Sequence, residues 1–179
     1  VSLNLDSNIW SNNAPTGTTV PRGRSAHTAV SWRGSAPGSS PHMMIAFGLD
    51  KGAGAMMTSD VFDLDLEKNI WSTLTVATDT AAVRWKNDVG KVLESSVTGP
   101  QGYTAVSWQD DDGMWQMTLF GGKFDEAKDF ANPTKLHTLN LDEGVWSDIS
   151  PTASDSFPSS RFGHSAITWF DTKNDGAVT

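Results

Sequence analysis

An eight-residue segment that recurs three times without a gap constrains the fold of this chain more than any other feature. In each copy two leucines alternate with a polar residue, a polar turn follows, and the chain resumes with a β-branched residue and a tryptophan. The copies are residues 3–10, 64–71 and 139–146. Such alternation is typical of a half-buried strand, and a polar cluster between two such runs indicates a hairpin. Three copies in register therefore predict an internal structural repeat.

Two further elements repeat along the chain. One begins at a histidine or tyrosine and ends at a tryptophan, in segments 27–32, 103–108 and 164–169. The other is a short apolar run that ends in glycine, at 43–48 and 116–122. Both complete units thus have the order His/Tyr strand, apolar-Gly strand, Leu-x-Leu strand and Trp strand. No segment has a convincing helical period, so the sequence predicts an all-β chain of four-stranded antiparallel meanders.

The combined pattern resembles the kelch repeat family, whose repeats form the blades of β-propellers. Phe120-Gly121-Gly122, followed by Leu139 and Trp146, carries the family pattern in full. Phe47-Gly48 carries it with one departure, because Leu49 stands where the second glycine is expected. The resemblance implies a kelch-type β-propeller segment of four-stranded antiparallel blades that forms an incomplete ring.

The repeats predict that residues 1–179 form one partial kelch propeller. The expected parts are residues 1–13 as the end of one blade, 24–75 as a full blade, 76–100 as an inter-blade insertion, 101–149 as a full blade, and 162–179 as the start of the next blade. A closed propeller typically needs about four to eight blades, and an open arc leaves sheet edges unpaired. We therefore expect the ring to be completed by a longer chain, or by another copy or another chain.

Aromatic and imidazole side chains at equivalent places of the repeats are the predicted core between blades. They are Trp10, Phe47, Trp71, Phe120 and Trp146, together with His27, Tyr103 and His164 on the innermost strands. The two histidines alternate with apolar residues along their strands. They are therefore interpreted as packed or hydrogen-bonded structural residues rather than as ligands.

Five long connections are predicted to lie at one edge of the blades. In an antiparallel meander, the connection between the second and third strands lies at the same edge as the connection between successive blades. These connections are residues 11–23, 49–59, 75–100, 123–133 and 150–160. Binding residues are disproportionately carried by loops on a rigid scaffold. The sequence therefore favours a binding edge, with idle insertions as the alternative.

Arg24 and Arg161 precede innermost strands, so they are expected near the mouth of the propeller channel on this loop edge. A guanidinium there can form bidentate contacts with a carboxylate or phosphate. The resemblance adds that kelch propellers often bind partner peptides at this mouth. The alternative is that each arginine joins blades by bonding loop carbonyls or an acidic neighbour.

Two loop segments are further candidates for contact with a partner. They are Arg84, Trp85 and Lys86 in the inter-blade insertion, and Lys123, Phe124 and Asp125 after the second apolar-Gly run. Arginine and tryptophan are favoured at the centres of protein interfaces. The alternative is that the aromatic side chains fold back onto their own loops or blade.

Composition argues against several classes of partner. The net charge is −8 and there is no Lys/Arg run, so a nucleic-acid or anionic-membrane surface is not expected. No apolar run approaches the roughly 18 residues of a membrane span. The absence of cysteine, and of an Asn-x-Ser/Thr site without proline, favours the cytosol or an organelle interior over secretion.

The sequence predicts neither a cofactor nor a metal. Asp110-Asp111-Asp112-Gly113 lacks the spacing and the closing glutamate of a calcium loop. The copper-radical sugar oxidases that resemble kelch propellers need a Tyr–Cys crosslink, which Tyr103 cannot form in a chain without cysteine. The main hypothesis is a non-catalytic protein-binding or scaffold module. The alternatives are part of a sugar-active propeller enzyme whose catalytic groups lie on other blades, and a structural subunit of a large assembly.

Overall fold

The structure is a computed structural model that describes residues 2–4, 6–12, 14–17, 19–50, 56–57, 60–74, 101–123, 136–149 and 158–168. These residues contain strands and no helix, which confirms the all-β prediction. No helix among them could cross a membrane.

The described strands are short and form four separate sheets. In chain order they are β1 (Ser2–Asn4), β2 (Ile9–Ser11), β3 (Arg24–Ser25), β4 (Thr28–Arg33), β5 (Pro41–Ala46), β6 (Leu49–Asp50), β7 (Met56–Met57), β8 (Val61–Asp65), β9 (Ile70–Thr73), β10 (Thr104–Gln109), β11 (Trp115–Phe120), β12 (Leu136–Asn140) and β13 (Val145–Ile149). The first blade is β4-β5-β8-β9, and the second blade is β10-β11-β12-β13. Both are antiparallel meanders, as predicted, in a propeller-like arrangement that the described strands do not close. A two-stranded sheet (β1-β2) and a three-stranded sheet (β3-β6-β7) accompany them.

The three repeated hairpins share one register. Leucine lies opposite tryptophan in each copy: Leu3 with Trp10, Leu64 with Trp71, and Leu139 with Trp146. The last residue of each turn has a positive φ: 55° at Asn8, 58° at Asn69 and 71° at Gly144. Asparagine and glycine adopt this left-handed conformation more readily than other residues. The turn residues thus fix the register of the Trp hairpin in all three copies.

The apolar-Gly strand is in a different register from the one that the sequence comparison predicts. The residue opposite the threonine that begins the inner strand is Ala46 in the first blade and Phe120 in the second. The Gly-Gly pair 121–122 therefore corresponds to residues 47–48. The prediction that Leu49 replaces the second glycine is wrong, because Phe47 replaces the first. Aligning the two phenylalanines by residue type shifted the segment by one position.

Phe47 adopts a backbone conformation that normally favours glycine, with a φ of 56°. Its side chain is 3% exposed. The ring centroid lies 5.3 Å from that of Tyr103, edge to face, and 6.0 Å from that of Trp146, stacked. Burial of a large aromatic side chain is worth roughly 1.5–3 kcal/mol. This gain is comparable with the roughly 1–3 kcal/mol that an unfavourable backbone conformation costs.

The main hydrophobic core lies between the facing sides of the two blades. The first blade and the turn after β5 contribute Val30, Met44, Ala46, Phe47 and Val61. The second blade and the residues next to its strands contribute Tyr103, Met117, Leu119, Leu139 and Leu141. Met44, Met117 and Leu139 are fully buried. A smaller cluster of Phe62, Leu64 and Trp71 covers the other side of the first blade. Stacking of one sheet on the next therefore supplies most of the described core.

The predicted core residues differ in how deeply they are buried. Phe47, Trp71 and Tyr103 are buried, and Phe120, Trp146 and His164 are partly buried. Trp10 is 66% exposed, contrary to prediction, because no other described strand joins its two-stranded sheet. His27 is also exposed, contrary to prediction. Tyr103 and His164 contact the residues around the end of the preceding blade's second strand, and the structure describes no such strand before His27.

The fourth unit differs from the predicted strand. Residues 162–168 have no assigned strand, and the structure does not describe residues 169–170. A strand requires a hydrogen-bonded neighbour, and no second strand of this unit lies in the described part of the chain. Its backbone nevertheless bonds to the second blade, since Gly122 donates to the Arg161 carbonyl at 2.9 Å.

The polar linker before the first blade contributes an unpredicted pairing. Thr16 forms a parallel bridge with Ile70 on the outer edge of the blade. The Thr16 amide donates to the Asn69 carbonyl at 3.0 Å, and the Trp71 amide donates to the Thr16 carbonyl at 2.7 Å. The linker therefore covers part of an edge strand that would otherwise present unpaired backbone groups.

Candidate functional site

Three successive units meet at the start of their inner strands. Ala26, Gly102 and Gly163 each precede the repeated His/Tyr position, with φ values of 55°, 65° and 66°. The Gly102 amide donates to the Ala26 carbonyl at 3.0 Å, and the Gly163 amide donates to the Gly102 carbonyl at 2.6 Å. These bonds hold the inner strands and the fourth unit side by side at one mouth.

Behind this mouth the same three units line one wide-open cavity of about 400 Å³. Each unit contributes an alanine, a β-branched residue and a residue with a hydroxyl group. These are Ala29-Val30-Ser31, Ala105-Val106-Ser107 and Ala166-Ile167-Thr168. The Ser107 hydroxyl donates to the Ser31 carbonyl at 2.6 Å across the two blades. The sequence interpretation missed this lining, although the recurrence of Ala-Val-Ser-Trp was a signal that could have revealed it.

The charged side chains that the structure describes are distributed unequally between the two edges of the blades. We call the edge where the inner strands begin the loop rim, and the opposite edge the turn rim. The loop rim carries Arg22, Arg24, Lys123 and Arg161. Three carboxylates lie at the same edge: Asp50 opposite Arg24 in the β3-β6 pair, Asp60 beside the Phe47 turn, and Asp148 near the end of β13. The turn rim carries Asp65, Glu67, Asp110, Asp111, Asp112, Asp142 and Glu143, with Arg33 and Lys68. Within the described ranges, cations therefore slightly outnumber carboxylates at the loop rim, whereas carboxylates predominate at the turn rim.

Arg24 is partly buried and holds loop backbone. Its Nη1 donates to the Phe47 carbonyl at 3.0 Å, and its Nε donates to the Arg22 carbonyl at 3.4 Å. The guanidinium carbon lies 4.7 Å from the centroid of the Phe62 ring. These contacts are those of the structural alternative for Arg24, because they fix the Phe47 turn.

Lys123, Arg161 and Phe162 come together at the junction between the second blade and the fourth unit. Lys123 pairs with Gln101 through two backbone hydrogen bonds of 2.9 Å, and its Nζ lies 5.7 Å from the centroid of the Phe162 ring. Arg161 is exposed, and its Nε donates to the Ser159 carbonyl at 3.0 Å. Phe162 is 55% exposed. We call these three residues the Phe162 patch.

The sequence alone did not single out Phe162, since the repeat places unlike residues at its position. Ser25 and Gln101 occupy the equivalent places before the inner strands. The other predicted contact residues lie outside the described part of the chain: Arg84, Trp85, Lys86, Phe124 and Asp125.

A polar clamp joins the two blades at the turn rim. Asp142 accepts hydrogen bonds from the Ser35 amide at 2.9 Å, the Ser35 hydroxyl at 2.7 Å and the Trp115 amide at 2.8 Å. Partial burial alone would raise the pKa of Asp142, but these hydrogen bonds outweigh it and lower the pKa. In the first blade, the Lys68 ammonium bonds Asp65 at 2.8 Å and lowers the pKa of that carboxyl. These carboxylates are therefore committed to holding turns and blades.

The carboxylate of Asp110 is also engaged by hydrogen bonds from nearby amides. Asp110 accepts the Met114 amide at 2.8 Å, the Asp112 amide at 3.2 Å and the Gln116 side-chain amide at 2.7 Å. Among the described residues, no three potential metal ligands lie close enough together to hold an ion.

Two histidine–aspartate pairs bridge neighbouring strands within the blades. His42 lies 2.7 Å from Asp63, and His137 lies 2.7 Å from Asp148. The Ser40 hydroxyl is 3.4 Å from His42, longer than the about 2.6–3.2 Å of an activated nucleophile. It donates instead to Asp65 at 3.0 Å. This geometry fits cross-strand hydrogen bonding better than a Ser-His-Asp catalytic arrangement.

Comparison with known proteins supports the fold alone. No protein-family model matches the chain, and a search of curated proteins finds no match. A search of solved structures finds 60 matching chains. One of them, described as "Structure of YjhT", aligns with a TM-score of 0.51 and 16% identity over 93% of this chain and 41% of that chain. The chain therefore has the fold of a segment that spans about two fifths of that structure's length.

Proposed function

We propose that this chain is part of a kelch-type β-propeller that acts as a non-catalytic protein-binding module through its loop rim. The observation that carries the proposal is the collection of Arg22, Lys123 and Arg161 at the channel mouth of a chain with net charge −8. A group of like charges on one surface guides and selects partners of opposite charge. The kelch resemblance of the sequence adds to this support.

The blade architecture gives such a rim a rigid base. Stacked blades share one hydrophobic core, and the mouth is fixed by backbone bonds from Gly102 to Ala26 and from Gly163 to Gly102. Contact residues on a rigid base lose little conformational entropy when a partner binds. At the turn rim, two carboxylates are already engaged within the protein. Asp65 pairs with Lys68, and Asp142 accepts three hydrogen bonds.

Site-specific photocrosslinking in cells that produce the protein tests this proposal. A photoreactive phenylalanine analogue replaces Phe162 on the loop rim or Glu67, an exposed residue of the turn rim. We expect a discrete protein adduct from position 162 and none from position 67. The adduct should also weaken when Lys123 is changed to glutamate, and persist when Arg33 of the turn rim is changed in the same way.

Several outcomes would contradict the proposal. Equal adducts at both positions would indicate nonspecific association. Adducts that cover both rims and every edge would favour the structural-subunit alternative. Absence of any adduct, together with turnover of a sugar by the purified full-length protein, would favour the enzyme alternative.

A further inference from the structure

We propose that the Phe162 patch binds an acidic polypeptide segment that carries a hydrophobic side chain beside its carboxylates. The inference rests on the proposed function, since it names the chemistry of the partner at the loop rim. Two independent observations support it: a pair of cations to which no described residue supplies an acidic partner, and an exposed aromatic ring between two units.

The first observation concerns the charges of Lys123 and Arg161. The backbone bond from Gly122 to the Arg161 carbonyl brings the two residues together across the junction. The ion pairs His42–Asp63, Lys68–Asp65 and His137–Asp148 lie within blades, and none of them involves Lys123 or Arg161. Lys68 on the turn rim, in contrast, bonds Asp65 at 2.8 Å. Among the described residues, the fold thus pairs a turn-rim cation with a carboxylate and supplies none to Lys123 and Arg161.

The geometry of Arg161 leaves hydrogen-bonding capacity for that anion. Among the described residues its guanidinium bonds Ser159, through Nε at 3.0 Å to the carbonyl and Nη2 at 3.4 Å to the hydroxyl. A guanidinium has five N–H donors in a planar fork, so donors remain after these two bonds. That fork matches a carboxylate in a bidentate arrangement.

The second observation is the exposure and support of Phe162. The side chain is 55% exposed, yet the ring rests on the backbone at Gly102. Its Cδ2 atom would lie 3.5 Å from a Cβ added to that glycine. Gly102 therefore gives the ring a close-fitting seat, while the outer part of the ring faces solvent. Lys123 lies near the same ring, at 5.7 Å, within the range of a cation–π contact.

An exposed aromatic ring beside Lys123, and adjacent in sequence to Arg161, favours a partner with matching chemistry. A hydrophobic side chain can cover the exposed part of Phe162, while carboxylates on either side reach Lys123 and Arg161. Aromatic residues and arginine are the types that dominate binding energy at protein interfaces. A nucleic acid fits less well, because its long polyanion would also approach the acidic side chains of a protein with net charge −8.

Titration of two synthetic peptides, followed by fluorescence anisotropy, tests this chemistry. The first probe is a dye-labelled acidic peptide with one central leucine between glutamates, and the second has alanine in place of the leucine. We expect the leucine peptide to bind more tightly, and added salt to weaken its binding. Phe162→Ala and Lys123→Ala should each weaken its affinity about tenfold or more, as for interface hot spots.

Matched variants distinguish binding at the Phe162 patch from nonspecific electrostatic attraction. Arg33→Ala removes an exposed cation from the turn rim and should leave the affinity unchanged. Phe162→Leu retains an apolar surface and should bind more tightly than Phe162→Ala. Urea unfolding of every variant checks that the fold is retained.

Three results would overturn the inference. They are equal affinity for the leucine and alanine peptides, an equal loss in Arg33→Ala, and no measurable binding of either peptide. If a protein is still crosslinked at position 162 in any of these cases, the proposed function stands and only the acidic-partner inference fails. If the peptide binds at the patch but no cellular protein is captured, the acidic-partner inference is supported and the proposed function is not.

Discussion

Tyr103→Phe isolates one buried bond between the two blades. The Tyr103 hydroxyl donates to the Ala46 carbonyl at 2.6 Å, and both residues are buried, at 4% and 0% exposure. Burial raises the pKa of Tyr103 well above its usual value, against a smaller opposing effect of Arg24, so the phenol remains a donor. The substitution removes one oxygen and retains the ring that packs on Phe47.

The expected loss follows from the fate of the Ala46 carbonyl. Once the phenol is gone, this buried acceptor has no water to replace it. An unsatisfied buried group costs about 1–3 kcal/mol, whereas a typical exchangeable hydrogen bond contributes about 0.5–1.5 kcal/mol. The exposed bond from Ser107 to the Ser31 carbonyl provides the comparison, because water can satisfy that carbonyl in Ser107→Ala.

Urea unfolding monitored by tryptophan fluorescence measures both variants. We expect Tyr103→Phe to lower the free energy of unfolding by about 1–3 kcal/mol, and Ser107→Ala to lower it by less than about 1 kcal/mol. Equal stability of Tyr103→Phe and the parent protein would refute the reasoning. A larger loss in Ser107→Ala would refute it as well, since the burial difference would then not control the cost.

Three further predictions concern the contacts between units. Gly121→Ala should lower the thermal midpoint more than Gly113→Ala: both glycines have positive φ, but a Cβ at 121 would lie 2.5 Å from the Arg161 carbonyl, whereas Gly113 faces open space. Asp142→Ala should destabilise the protein at pH 7 by about 1–3 kcal/mol. Because the folded pKa is lowered, the difference from the parent should shrink as pH falls below the carboxyl's ordinary pKa of about 4. Burial and, to a smaller extent, Arg161 lower the pKa of His164. The stability of the parent protein should therefore fall as pH drops through about 6.5. Unfolding curves over a pH series should show that His164→Phe removes this loss of stability. Equal midpoints, a pH-independent Asp142 effect or an unchanged His164 profile would each contradict its prediction.

The sequence predicts the strands well where one local pattern determines one local structure. The Trp hairpins have the same register in all three copies because alternation and turn chemistry are encoded within eight residues. The positive φ of Asn8, Asn69 and Gly144 falls on residue types that accept it. Strand order follows directly, since antiparallel neighbours need only short connections.

The register of the apolar-Gly strand could not be read in the same way. Phe47 occupies a glycine-like conformation because of contacts with Tyr103 and Trp146, which lie far along the chain. No local pattern encodes such a contact. Exposure of Trp10 and His27 has the same origin, because burial at these repeat positions depends on a neighbouring sheet.

The candidate site was predictable in part. Position in the repeat placed Arg24, Lys123 and Arg161 at the edge of the long loops. It did not distinguish Arg24, which bonds the Phe47 carbonyl across the blade, from Arg161, which bonds the nearby Ser159. The Phe162 patch also depends on the seat at Gly102, which forms only when two units lie side by side.

The central claim is that three successive units lie side by side around one channel mouth. Through-hydrogen-bond NMR couplings test it most directly, since they connect the Gly102 amide nitrogen with the Ala26 carbonyl carbon, and the Gly163 amide nitrogen with the Gly102 carbonyl carbon. The structure predicts both couplings, from bonds of 3.0 Å and 2.6 Å. Absence of both couplings, with rapid solvent exchange at the two amides, would contradict the arrangement on which the loop rim and its proposed function depend.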